Sequence, residues 1–250
     1  MKGNSMKKSL VVPLFALGII MASLSSMYAS PSTQVWNPST DIQAKGSFHL
    51  NYDNYVNDRV NLAYYGIEYG AIKNLEVGFD ININQISNSP AANAYPLYGN
   101  VKYGLPEGKL MPAIAGGVMS VGTKMTENDA AGIQVNGTDL NIFYALVAKT
   151  FDRVGRFSAG GYSGNDKLLI DETGAKANSG AIVSWDKALT DKIWASVDYS
   201  SGSSSYGFLA VGASYAFAAN TSVICGYLVP NNYKVNTSGN QFTTQLDINF

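Results

Sequence analysis

The sequence predicts an all-β fold, a transmembrane antiparallel up-and-down β-barrel of twelve strands, and three observations carry that expectation. Apolar and polar residues alternate with period two along most of the chain, which gives each strand one apolar and one polar face. Every second connection between alternating runs is a tight turn rich in Gly, Pro, Asn and Asp, whereas the others vary in length, as they do in membrane barrels. The first thirty residues read as a secretory leader, and no later run of roughly 18 apolar residues supplies a spanning helix.

Composition narrows the function classes. The 17 Lys+Arg stand against 18 Asp+Glu, so the chain lacks the basic balance of a nucleic-acid binder. One Cys excludes a disulfide scaffold, and 12% aromatics with only 14% charged residues exclude a disordered chain. One His and one Cys leave no cluster from which to assemble a zinc site, and no Gly-rich loop links a strand to a helix to cradle phosphate, so neither a metal nor a cofactor is expected.

The elements follow in order. Residues 1–30 carry Lys2, Lys7 and Lys8, an apolar stretch over 10–24 interrupted by Pro13, and then Ser25-Ser26-Met27-Tyr28-Ala29-Ser30. This is the layout of a signal peptide cleaved between Ser25 and Ser30, and its loss leaves a net charge of −4. Cys225 lies too far from the leader for lipid acylation at a new N-terminus. Residues 31–42 hold Pro31 and Pro38 and have no period, so a flexible periplasmic segment is expected, with Trp36 able to tuck into the periplasmic mouth.

Residues 43–250 form the barrel, with strands expected near 43–53, 59–69, 75–84, 96–104, 110–121, 139–150, 156–163, 179–187, 193–201, 206–217, 222–230 and 241–250. In the first, Phe48, Leu50 and Tyr52 alternate with Lys45, Ser47, His49 and Asn51; in the third, Leu75, Val77, Phe79 and Ile81 alternate with Glu76, Gly78, Asp80 and Asn82. Tight turns fall at 71–74, 105–109, 151–155, 188–192 and 218–221, and longer loops at 85–95, 122–138, 164–178 and 231–240. Pro112 cannot donate to a ladder, which places it at a strand start. Runs 110–121 and 222–230 are apolar on both faces, so the alternation leaves their inward sets open. Aromatics near strand ends, among them Tyr69, Tyr103, Phe151, Trp185, Tyr199 and Phe217, fit interfacial girdles.

At the C-terminus, Phe250 is preceded at alternate positions by Ile248, Leu246, Thr244 and Phe242. This pattern resembles the sorting signal of bacterial outer-membrane β-barrel proteins, with Phe242, Leu246, Ile248 and Phe250 as its apolar marks. The resemblance implies insertion by the barrel assembly machinery into the outer membrane of a Gram-negative bacterium. It also implies contact with outer-membrane lipid and lipopolysaccharide and two periplasmic termini, and it says nothing of a substrate.

The polar faces nominate the lumen: Lys45, His49, Glu76, Asp80, Asn82, Asn100, Lys102, Asp198 and Asp247, joined by Glu68, Asp186 and Lys149. A net acidic lumen favours weak cation selectivity, unless the charges pair across the lumen to brace the wall. Small inward residues such as Ser158, Gly160, Ser184, Ser196 and Ala145 argue for a narrow open passage, and inward Tyr64, Tyr98, Phe143, Trp194 and Phe208 for a slot that takes a ring-containing solute. Loops 122–138 and 164–178 are expected at the surface and mobile, although each is long enough to fold inward, and the second carries the apolar Lys167-Leu-Leu-Ile170.

A passive porin-like channel for small polar or amphipathic solutes is the leading expectation, without catalysis. The alternatives are a non-conducting surface barrel acting through its extracellular loops, a soluble periplasmic β-protein, and a lipid-modifying hydrolase dependent on His49. For the last, Ser47 shares a face with His49 at a Cα separation of about 6.8 Å, and the sequence places no carboxylate to orient the ring.

Overall fold

The computed structural model describes residues 32–83, 97–124, 127–128, 134–135 and 137–250. The expected leader 1–30, the loop 85–95 and much of the loop 122–138 lie outside them. Fourteen strands are described: β1 (Phe48–Val56), β2 (Asn61–Ile72), β3 (Leu75–Asn82), β4 (Leu97–Leu105), β5 (Ala113–Gly122), β6 (Glu127–Asn128), β7 (Gln134–Val135), β8 (Ile142–Phe151), β9 (Gly155–Ser163), β10 (Ser179–Ala188), β11 (Ile193–Ser200), β12 (Phe208–Ala218), β13 (Thr221–Pro230) and β14 (Gln241–Asn249). Twelve of them close an antiparallel barrel in chain order, and β6 and β7 pair with each other as a small hairpin in the β5–β8 loop. Closure joins β1 to β14, with His49 opposite Asn249 and Val56 opposite Phe242, so the last strand has no free edge.

Eleven strands fall where alternation places them. The first begins at Phe48 rather than at residue 43, because Gly46 takes a φ of 83° and its N–H donates to the Gly70 carbonyl at 2.7 Å, turning the chain before the ladder starts. β5 starts immediately after Pro112. The two-residue connection between β2 and β3 places Asn74 at φ 68°, a left-handed conformation that asparagine tolerates.

Outside, the wall is apolar: Leu50, Ile67, Phe79, Val101, Val147, Val183, Val197 and Val211 ring the barrel with their side chains exposed. Among the described strands only Lys149 and Lys187 carry charge on that face, both near the tight-turn end, where their amines donate to the turn carbonyls of Gly108 and Arg153. This is a lipid-facing surface, with lysines reaching out of the apolar band, and the barrel is transmembrane. Free Cys225 lies on the same outer face.

Registry settles the faces that alternation leaves open. Ala113 pairs with Ala148 and Gly117 with Tyr144, so Ala113, Ala115, Gly117 and Met119 turn inward. In β13 the inward set is Ser222, Ile224, Gly226 and Leu228. β8 corrects an expectation: Phe143 is 61% exposed and Ala145 is also outward, while Ile142, Tyr144, Leu146 and Ala148 line the interior. Both faces of that run are apolar, so the period alone selects neither.

Candidate functional site

Among the described residues the interior is built from the inward strand faces, residues 32–43, the loop 164–178 and further loop residues such as Leu140, Tyr206 and Asn236. Residues 32–43 are not a free tail. They form a short hairpin inside the barrel, with Thr33 bridged to Pro38 and the Gln34 N–H donating to the Asn37 carbonyl at 2.7 Å. Val35, Asn37, Ser39 and Thr40 are almost wholly buried.

Carboxylates on the wall hold this hairpin. Asp198 accepts from the backbone N–H groups of Val35 (2.9 Å), Trp36 (3.3 Å) and Asn37 (3.0 Å), and from the Asn37 side-chain amide at 2.7 Å. Three successive N–H groups converging on one anion make a nest, which satisfies backbone donors that would otherwise be buried unpaired. Asp186 accepts from Gln34 at 3.1 Å, and Glu76 accepts from the Ser32 hydroxyl at 2.5 Å and the Gln43 N–H at 2.8 Å. Lys102 lies 3.5 Å from Glu76 and donates to the Ser32 carbonyl at 3.0 Å. Gln245 donates to the Val35 carbonyl at 2.7 Å. Gly212 and Gly226 leave the space that Val35 fills, since a Cβ at either would come within 2.9 Å and 2.8 Å of its methyl groups.

At the hairpin tip, Trp36 packs against Tyr55, Tyr206 and Phe208 with ring centroids 5.7, 5.9 and 5.0 Å apart. The loop 164–178 adds to this packing. Leu169, expected in a mobile surface loop, is fully buried with Ile142, Leu146, Tyr162, Ile182 and Tyr206. Burial of its isobutyl group inside the barrel mouth accounts for an apolar run in an otherwise polar loop.

The hairpin and this apolar cluster fill the β8–β13 side of the lumen, and a cavity of about 450 Å³ remains against β1–β5. Its lining is both acidic, with Asp53, Glu68, Glu76, Asp80 and Asp247, and aromatic, with Tyr55, Tyr64, Tyr98, Tyr144, Trp36 and Phe208, and Asp53 stands opposite Tyr64 and Asp80 opposite Tyr98 in neighbouring strands. Tyr55, Tyr64 and Tyr98 form a chain of edge contacts, with centroids 6.3 and 6.5 Å apart. Asp80 accepts from Asn100, whose own carbonyl accepts from the Ser120 N–H at 3.0 Å.

Of the residues nominated from the sequence, Glu76, Asp80, Asn100, Lys102 and Asp247 line this cavity. Asn82 is buried on the inward face above Asp80. Asp198 lies on the opposite side, under the hairpin. Lys45 departs from expectation: it is exposed, in the turn ahead of β1, because the strand begins only at Phe48. Lys149 is likewise on the rim, 2.7 Å from Glu107. Two inward charges were missed. Asp53 shares the parity of His49 and Asn51, and Arg156 that of Ser158 and Gly160, so alternation could have found both. Arg156 bridges Asp186 at 2.9 Å and Asp41 at 2.7 Å. The hairpin was missed because no sequence period marks it.

His49 is completely buried at the closing seam, 3.3 Å from Asp247, 4.0 Å from Glu68 and 3.0 Å from the Asn249 side-chain oxygen. Two carboxylates therefore flank a ring for which the sequence supplied none. Ser47 does not complete a hydrolytic pair: its hydroxyl donates to the Ala44 carbonyl at 2.6 Å and accepts from Gln43 at 2.9 Å. Among the described residues no group of three or more His, Cys, Asp or Glu is arranged to hold a metal ion.

No protein-family model matches the chain, and no curated protein matches it. Solved structures with related shapes include one described as "Asymmetric conductivity of engineered proteins", at 12% identity and a TM-score of 0.39, covering 88% of this chain and 66% of that one. A multiply substituted Rhodopseudomonas blastica porin aligns at 13% identity and a TM-score of 0.37, over 76% of this chain and 55% of that one. The NanC porin aligns at 8% identity and a TM-score of 0.43, over 81% of this chain and 98% of that one. This chain thus spans about two-thirds or less of the first two.

Proposed function

We propose that the protein is a narrow, porin-like outer-membrane channel for passive passage of small polar or amphipathic solutes, with a preference for cations. The observation that carries this is the sign of the interior. Asp53, Glu68, Glu76, Asp80, Asp186, Asp198 and Asp247 all face inward from the described strands, against Lys102, Arg156 and His49. Fixed charge of one sign in a confined, low-dielectric passage raises the local concentration of counter-ions. The C-terminal pattern ending in Phe250 supports outer-membrane insertion through the assembly machinery, with lipid and lipopolysaccharide outside and the tight-turn end in the periplasm. Planar-bilayer recording under a salt gradient tests the channel. Asp53→Asn with Asp80→Asn should move the reversal potential toward zero, and an unchanged potential overturns the role of these acids.

The buried hairpin favours a second reading, in which the barrel conducts nothing and anchors its outer loops for binding or adhesion. A folded barrel that stays silent both intact and with residues 32–41 deleted would establish this reading instead.

A further inference from the structure

We propose that the cavity between the N-terminal hairpin and β1–β5 is a binding site for a small organic cation, a primary ammonium group carried on an aromatic or alkyl body. As the solute of the channel this ligand rests on the channel reading above; as a bound ligand it rests on the cavity alone.

Size, polarity and unmet hydrogen bonding converge on that class. About 450 Å³ lies within the usual pocket range of about 300–1,000 Å³ and admits a compact organic ligand together with water. Glu68 and Asp247 are 7% and 1% exposed, line the cavity, and each keeps a carboxylate oxygen, Oε2 and Oδ2, with no hydrogen-bond donor among the described residues. Buried acceptors left without donors are costly, and an ammonium ligand supplies three donors. Five carboxylates face the cavity, whereas Lys102 is taken up by Glu76 and the Ser32 carbonyl, and His49 sits behind Asp247 and Glu68.

Beside the acids, Tyr64, Tyr98 and Trp36 border the same space. Aromatic faces attract cations and stack on rings, so the ligand lies with its ammonium toward the unmet oxygens of Glu68 and Asp247 and its apolar body among the tyrosines. An anion of equal size meets carboxylates, and a neutral alcohol supplies one donor where the ammonium supplies three.

Calorimetric titration of the folded, detergent-solubilised barrel with phenethylammonium, 2-phenylethanol and benzoate tests this without requiring conduction. Saturable one-to-one binding of phenethylammonium, with the alcohol at least about tenfold weaker and benzoate not bound, is the expected result. Equal binding of all three, or none by the ammonium, overturns it. Glu68→Gln with Asp247→Asn, checked for folding by its heat-dependent gel shift, should weaken the ammonium about tenfold, and unchanged binding overturns the assignment of these carboxylates. A conducting barrel that ignores phenethylammonium would refute the ligand and leave the channel standing. A silent barrel that binds it would do the reverse.

Discussion

Asp198 does at one position what several residues usually share, accepting four hydrogen bonds from residues 35–37. Charge-assisted bonds of this kind each contribute about 1.5–3 kcal/mol, and removing the acceptor orphans buried N–H groups. Asp198→Ala should therefore release the hairpin while the barrel stays folded, read as faster protease cleavage within residues 32–43 and a larger unitary conductance. If the segment stays protected, other contacts suffice to hold it. Glu107 is a residue-scale case at the rim. Hydrogen bonds from Lys149 and Thr150 hold its carboxyl down to about 2. A depressed carboxyl pKa contributes stability above the unfolded value of about 4.3, and that contribution is lost as pH falls through the folded value near 2. The difference in unfolding midpoint between wild type and Glu107→Gln should be present at neutral pH, narrow in acid, and vanish at the lowest pH. A difference that persists there would show that the ion pair is not its cause.

At the scale of the element, the hairpin 32–43 fits because the wall was cut for it. Gly212 and Gly226 stand opposite each other in neighbouring strands, and Val35 occupies the volume their missing side chains leave. Gly212→Leu with Gly226→Leu should expel the hairpin, and because a Cβ at either position also comes within 3.0 Å of a ladder carbonyl, folding is checked by the heat-dependent gel shift. The expected outcome matches that of deleting residues 32–41: a several-fold larger unitary conductance. A doubly substituted barrel whose conductance equals that of wild type would show that the hairpin does not limit the passage. The loop 164–178 behaves similarly, with Leu169 anchored inside the mouth against strand residues and Tyr206.

At the scale of the whole molecule, stability depends on an apolar exterior meeting lipid and on a seam that closes. Ile67 sits mid-strand on the outer face. Ile67→Arg should cost about 2–4 kcal/mol in denaturant titrations from vesicles, as arginine does near the membrane midplane. A cost near zero would place residue 67 outside the apolar core. The seam joins β1 to β14 over eight residue pairs, with His49, Glu68 and Asp247 buried behind it.

Period-two alternation was enough to locate twelve strands, the alternation of tight turns with loops, and an acidic interior, because each strand reports its own faces locally. It failed in particular places. Phe143 and Ala145 were assigned inward because both faces of β8 are apolar and only pairing with β5 breaks the tie. Alternation extends the first strand to Lys45 because Gly46, which turns the chain, leaves no mark on hydropathy. The lumen's occupancy could not be read at all: Asp198, Asp186 and Glu76 meet residues 32–43 across sequence separations of 33 to 163, and nothing local encodes such a meeting. Alternation specifies the wall, since burial against lipid is written residue by residue. The tertiary structure decided what fills that wall and what space remains, since the close approach of Val35 to Gly212 or the unmet oxygens of Glu68 and Asp247 exist only once the barrel has closed.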